Sequence, residues 1–371
     1  MIIIHVSVSV AGGIGSLINE IANYQAEMGH KVHLVFCKRS LEVVKKHSMW
    51  NNDAIKFWPF DVKSGKGSFY YKGLSREAKK IYDELKAANP DEKIVVHFHN
   101  PMAVGVFGKV DFAPCLCTIH SVYTKYKFVL QLYKLILKKK MRFVAVSDDM
   151  KSYYEKASPR TDIVMIHNGI GEVDETHIAS SKVGDKDEFV VGYVADINEL
   201  KGWRFLVDAA RKLDKKYNVK LLMAGMGSEE EVSDLKQNIS EINDAGNCKI
   251  EYLGFVNDAG ANLIPKIDAL ILPSRTEGLP MSIVEALRVG VPVLATAVGG
   301  IPEIISDGEN GYLILRDSDD ILKKIVALIE SDRKKMFEAC RRTYLEEYSV
   351  KIMYDRYMNC YNSIMGEKNV L

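Results

Sequence analysis

Short apolar runs of strand length alternate with helical stretches along the whole chain, and this alternation limits the fold more than any other feature. Runs at 2–10, 31–37, 93–98, 115–120, 142–147 and 162–166 are followed by others at 189–195, 218–224, 249–254, 268–273, 291–296 and 312–315. Helical patterns at 16–28, 75–88, 203–216, 229–242 and 282–289 separate many of them. Strands interleaved with helices cannot pair as hairpins, so they predict parallel sheets covered by helices on both faces. The polar stretch GIGEVDETHIASSKVGDKDE at 169–188 divides the runs into two similar sets. The 371 residues therefore read as two α/β domains, 1–170 and 171–354.

Charge supports the same division. The formal net charge is +1, yet residues 1–170 hold 25 Lys and Arg against 15 Asp and Glu (+10), and 171–371 hold 25 against 34 (−9). Near neutrality argues against a dedicated nucleic-acid binder, whereas the basic half suits an anionic partner. The six cysteines (37, 115, 117, 248, 340, 360) show neither metal-ligand nor disulfide-framework spacing and read as buried thiols of a reducing compartment. MIIIHVSVSV lacks a basic leader region and reads as a first strand. No uncharged window reaches membrane-spanning length.

Two stretches offer chemistry. The first strand runs into Ala11-Gly12-Gly13-Ile14-Gly15, a strand-to-helix turn of the kind that lets backbone amides meet an anion. A dinucleotide fingerprint fails there, because Ile18 stands where its third glycine belongs and Lys38-Arg39 where a ribose-binding acid belongs. In the second half, PSRTEGLPMSIVEALRVGVPVLATAVGGIPEII (273–305) places Glu277, Gly278 and Pro280 in a loop after a strand. Ser282 is placed to cap the following helix, which carries Glu285. Eight helical steps would put the two carboxylates about 12 Å apart along the axis. That exceeds the roughly 5–9.5 Å of glycosidase pairs, so each carboxylate is read as having its own hydrogen-bonding role.

Glu277-x7-Glu285 followed by GVPVLATAVGGIPEII resembles the retaining glycosyltransferases of family 4. Gly12-Gly13, Thr118-Ile119-His120, Val146-Ser147, Asn168-Gly169, Lys201-Gly202, Gly225, Gly227 and Tyr252-Leu253-Gly254-Phe255-Val256 extend the resemblance over nearly the whole chain. It implies a GT-B fold, two Rossmann-like parallel-sheet domains facing a central cleft, with a carboxy-terminal helix (about 355–371) crossing back to the first domain. It also implies an enzyme that moves a hexose or N-acetylhexosamine from a nucleotide-diphosphate sugar, by default a UDP-sugar, to a glycan hydroxyl with retained configuration. No resident cofactor and no metal are expected.

By the same resemblance, Glu285 holds the ribose and Glu277 the sugar hydroxyls, while Lys201 neutralises the diphosphate. Amides of the stretch Gly278, Leu279, Pro280, Met281 and Ser282 and of Gly13 cradle it, and Gly12 belongs to the donor site. Gly225 belongs to the donor site, the backbone near Val256 reads the base, and His120 lies near the transferred sugar. The family's usual Arg before Lys-Gly is replaced by Asp196, with Arg204 or Arg275 as substitute cations.

Two features remain. His97 and His99 in VHFHNP are read as facing opposite sides of their strand, one of them towards the acceptor. The segment TKYKFVLQLYKLILKKKMR (124–142) reads as a helix with a basic and an apolar side, suited to an anionic membrane surface. Together with the basic first half it suggests a peripheral protein on the inner face of the cell membrane and a lipid-linked acceptor, and the resemblance implies a place in bacterial cell-surface polysaccharide synthesis (capsule, O-antigen and other lipopolysaccharide, or similar). The rival readings are a non-catalytic nucleotide-sugar-binding scaffold and a GT-B sugar-nucleotide epimerase.

Overall fold

A computed structural model describes residues 1–10, 12–38, 52–61, 68–101, 112–120, 141–157, 163–175, 178, 188–246 and 248–366. The chain forms two compact units, one of Met1–Gly171 with Ser349–Leu371 and one of Glu172–Tyr348.

The first unit has strands β1 (Ile2–Ser7), β2 (Lys31–Cys37), β3 (Ile55–Phe60), β4 (Ile94–Phe98), β5 (Cys115–Ile119), β6 (Met141–Ala145) and β7 (Ile163–Met165). They lie in the order β3-β2-β1-β4-β5-β6-β7, and every pairing is parallel. Helices α1 (Gly12–Glu27), α2 (Ser68–Ala88) and α3 (Asp148–Ala157) connect them. IIIHVS is buried at every position because β1 is central, with sheet neighbours on both sides and helices on both faces. β3 falls outside the expected runs. Its Pro59 cannot donate to a ladder on both sides, which weakens the strand signal, and the fold accommodates it at the sheet edge.

The second unit repeats the plan with β8 (Phe189–Val194), β9 (Val219–Ala224), β10 (Lys249–Gly254), β11 (Ala269–Leu272), β12 (Val293–Thr296) and β13 (Gly311–Ile314). Their order is β10-β9-β8-β11-β12-β13, again parallel throughout. The main helices are α4 (Trp203–Arg211), α5 (Glu229–Ala245), α6 (Met281–Arg288), α7 (Ser318–Ile329) and α8 (Arg333–Thr343). Their amphipathic faces close a core that includes Val191, Tyr193, Leu206, Leu221, Met223, Leu235 and Leu294. Ser228 caps α5 by accepting from the Glu231 amide, and Gly246 ends it in the left-handed conformation.

At Ser349 the chain returns to the first unit as α9 (Val350–Ile364), starting before the 355 expected. Ser349 caps this helix, and the Val350 amide donates to the Ile170 carbonyl at 2.7 Å. Gly169 permits that crossing, since a Cβ there would lie 2.4 Å from the Ser349 carbonyl oxygen.

Most of the segment expected over 124–142 lies outside the described residues. Its end does not continue a helix: Met141 and Arg142 open β6. Among the described residues no helix is long and apolar enough to cross a membrane. All six cysteines are buried and unpaired by disulfides.

Candidate active site

In an open parallel sheet, ligands bind beyond the carboxyl ends of the strands where the winding reverses. In the second unit that point lies between β8 and β11, so the loops at 195–202 and 273–280 flank it. Three contacts lock these loops together. Gly202 has φ +73° and its missing Cβ would stand 2.1 Å from the Pro273 carbonyl oxygen. The Arg275 amide donates to the Leu200 carbonyl at 2.7 Å. Lys201 Nζ meets Glu277 Oε1 at 2.7 Å.

That ion pair is partly withdrawn from water, with 10% of the Glu277 side chain and 27% of the Lys201 side chain exposed. Asn198 sets the backbone of Lys201, its Oδ1 accepting from the Lys201 amide at 3.0 Å. Glu277 is set from the β12 side. Gly299 at φ +57° leaves room where a Cβ would come within 2.0 Å of the Glu277 carbonyl oxygen, and the Gly300 amide donates to the Gly278 carbonyl at 2.8 Å. Below it, Thr296 Oγ1 donates to the buried Ser274 carbonyl at 2.5 Å. Neither Gly299 nor Thr296 was among the expected site residues, although the Gly-Gly pair of AVGGIPE is a signal for such a close approach.

The loop leads into α6 with Pro280 at the N-cap, without a side-chain cap. Ser282 therefore does not cap the helix as expected. The helix starts at Met281, one residue earlier, which places Ser282 inside the first turn. With no side-chain acceptor at its start, the end of α6 beside Lys201 and Glu277 is suited to an anion. Glu285, on the same helix, rests against the short helix Ala259–Asn262, where a Cβ on Gly260 would be 2.9 Å from its carboxyl carbon. Gly260 is thus what admits the carboxylate next to the loop carrying Val256.

The other expected residues differ in placement. Gly225, at φ +154°, lets the ends of β8 and β9 converge, and its amide is already given to the Gly254 carbonyl at 2.9 Å. Its contribution is shape, since that donor is occupied. Arg204 pairs with Asp234 and Glu231 on α5 and stacks on the Trp203 ring, instead of turning towards Lys201. Arg275 is exposed in the loop beside Glu277. Asp196 is exposed, and its carbonyl accepts from the Tyr193 hydroxyl at 2.8 Å. Burial pushes that phenol up, with the Asp196 and Glu277 charges adding to the effect.

The winding of the first unit reverses between β1 and β4. Gly13 opens α1 there with open space at its Cβ position, while Gly15 fills the tight place, where a Cβ would lie 2.1 Å from the Val10 carbonyl oxygen. His5 on β1 pairs in register with His97 on β4. His99 joins them on the same side, its ring centroid 4.2 Å from that of His97. The expectation that His97 and His99 face apart is therefore corrected, because residues two apart on a strand share a face. His5 Nδ1 is 2.9 Å from His99 Nε2, and His99 Nδ1 is 3.2 Å from His120 Nε2. His5 Nε2 meets Gln25 Oε1 of α1 at 2.7 Å, and His97 contacts Tyr361 of α9 and Thr118 of β5, both at 2.8 Å.

Burial holds these rings neutral. It pushes His5 and His120 down to about 4, and together with the neighbouring imidazoles it lowers His97 and His99 well below the usual range. Nitrogens of His5, His97 and His99 lie within 4.8 Å of one another, which is metal-ligand spacing. Both ring nitrogens of each already have hydrogen-bond partners, so a cation would have to break that network to bind.

Residues 11–172 match the family model "Glycosyltransferase Family 4", and residues 188–331 match "Glycosyl transferases group 1". The N-acetyl-alpha-D-glucosaminyl L-malate synthase of Bacillus anthracis is 26% identical over 223 residues, 58% of this chain and 57% of that one. The phosphatidyl-myo-inositol mannosyltransferase of Mycobacterium leprae is 27% identical over 286 residues, 73% of each. Several of the curated relatives are matched over only about half their length. The crystal structure of Anabaena HepE in complex with UDP superposes with a TM-score of 0.77 at 19% identity, covering 98% of this chain and 100% of that one. At that identity the likeness establishes the fold, which is of the GT-B type.

Proposed function

Because the chain belongs to the family 4, group 1 glycosyltransferases, we propose that it is a retaining enzyme that transfers a hexose or N-acetylhexosamine from a UDP-sugar to a hydroxyl of a lipid-linked glycan. The observation that carries the reading is the Lys201–Glu277 pair at the sheet's reversal point, next to the uncapped start of α6. Breaking the sugar–phosphate bond leaves charge on the diphosphate. Lys201 and the first amides of α6 are preorganised to receive that charge without a metal. Glu277 then exchanges its bond to Lys201 for bonds to sugar hydroxyls, and Glu285 holds the ribose beside the Val256 loop. With two separated carboxylates in binding roles, we favour same-face attack, the leaving phosphate taking the acceptor proton.

Relatives support the classes of substrate. The Anabaena neighbour was solved with UDP, and the relatives above are named for an N-acetylglucosaminyl and a phosphatidylinositol-linked transfer. The +10 charge of residues 1–170 supports an acceptor presented at an anionic membrane, on its cytoplasmic side, in cell-surface polysaccharide synthesis. The test is a thermal-shift panel of UDP-, GDP- and ADP-sugars, followed by turnover on lipid-linked acceptors. A UDP-sugar should stabilise the wild type, and Glu285→Ala should lose that stabilisation. If no nucleotide sugar stabilises the wild type or is turned over, the proposal fails.

A further inference from the structure

Lys201 ends a short 3-10 helix, Glu199–Lys201, and each residue of this turn is held by a different partner. Turns of this kind have poor internal hydrogen-bond geometry, so partners outside the turn fix their shape. Asn198 Oδ1 accepts from the Lys201 amide at 3.0 Å, and the Arg275 amide donates to the Leu200 carbonyl at 2.7 Å. The third tie comes from far along the chain: Arg316 Nη2 donates to the Glu199 carbonyl at 2.7 Å. The turn's own bond to that carbonyl, from the Gly202 amide, is longer at 3.2 Å.

Arg316 is firmly mounted for this reach. It lies between β13 and α7, and the backbone is fixed on either side of it. The Leu315 amide donates to Asp320 Oδ2 at 2.7 Å, and Asp317 caps α7 by accepting from the amides of Asp319 and Asp320. The half-buried Arg316 side chain lies over the Phe205 ring of α4, its guanidinium carbon 5.1 Å from the ring centroid. Its Nε is buried there and has no hydrogen-bond partner among the described residues. A buried donor left unmet costs stability, and a guanidinium turned out to water would not carry that cost. The stack on Phe205 and the bond to Glu199 therefore outweigh it. Arg204 differs, since its guanidinium is taken up by two carboxylates of α5.

We propose that Arg316 is a positioning residue that holds the Glu199–Lys201 turn against the corner between β13 and α7, so that Lys201 Nζ stands where it meets Glu277. A lysine stem is flexible, so its ammonium is placed only as well as its backbone is. Misplacing a charge that stabilises a transition state by a fraction of an ångström is costly in rate. The effect on sugar transfer rests on the glycosyltransferase reading; the hold on Lys201 does not.

A crystal structure of Arg316→Met without donor reads that hold directly. The turn should shift and Lys201 Nζ should leave hydrogen-bonding range of Glu277; an unchanged pair overturns the proposal. With a saturating UDP-sugar, Arg316→Met should lower kcat by about tenfold, the worth of one hydrogen bond from a charged group. Arg316→Lys, whose ammonium can still donate to the Glu199 carbonyl, should recover most of the loss. Wild-type kcat in Arg316→Met removes the positioning role. Because Arg316 acts through Lys201, adding Arg316→Met to Lys201→Met should cost less than about twofold more. A full tenfold loss in that background would mean that Arg316 works on the substrate or through folding alone, and it overturns the proposal. A wild type that turns over no nucleotide sugar would instead sink the transferase reading, and the crystal structure would still decide what Arg316 does to Lys201.

Discussion

The two units share a topology and differ in electrostatics at the same topological position. Where the sheet of the second unit reverses, a mostly buried cation and carboxylate face each other beside a helix start. At the reversal of the first, four neutral and mostly buried imidazoles are linked in one network through Gln25 and Tyr361. A parallel sheet supplies the place at which loops converge, and the loops' side chains decide what it can hold. A diphosphate needs charge and open amides, and the proposed function assigns it to the second unit although that half of the chain is net acidic.

The sharpest way to break this contrast is Lys201→Met. It removes the cation and leaves the nearly buried Glu277 carboxylate alone, and kcat should fall by about 10²–10³-fold, as on loss of a preorganised charge-stabilising donor. Steady-state kinetics with a saturating UDP-sugar would show it. A loss under fivefold would mean the pair is only structural.

Acid should act on the other unit. Between pH 6.5 and about 4 the unfolded chain takes up protons that native His5 does not, so stability falls as pH drops through that window. Above 6.5 this group adds no pH dependence. For His5 the loss by the lower end is about 3 kcal/mol. Urea midpoints measured across the window should decline, and His5→Asn should flatten the slope. An unchanged slope in that variant would relocate the effect.

The smallest effect is expected for Arg204→Ala. Its partners Glu231 and Asp234 lie on α5 and the pairs are exposed, so stability should change by no more than about 1 kcal/mol and sugar transfer should be unaltered. A marked loss of donor affinity would return Arg204 to the phosphate site and blur the distinction between the units.

Much of the second unit was legible because its signals are local. Glu277, Gly278, Pro280 and Glu285 occupy one loop and one helix, and Lys201 directly precedes a glycine in the left-handed conformation. The first unit was less so. His5, Gln25, His99, His120 and Tyr361 come from strands, loops and helices far apart in sequence, and no spacing rule links them. β3 was concealed by its proline, and Arg204 looked available because its partners on α5 lie some 30 residues away.

Local chemistry in the sequence by itself determined the alternating parallel architecture and the residue types of the loop at 273–280. Tertiary structure alone decided which cation faces Glu277, that Gly260 makes room for the Glu285 carboxylate and Gly299 for the Glu277 backbone, and that Gln25, His5 and His99, far apart in sequence, join His120 in one hydrogen-bonded chain. Periodicity is written residue by residue, whereas pairing and close approach exist only once the sheet has brought its strand ends together.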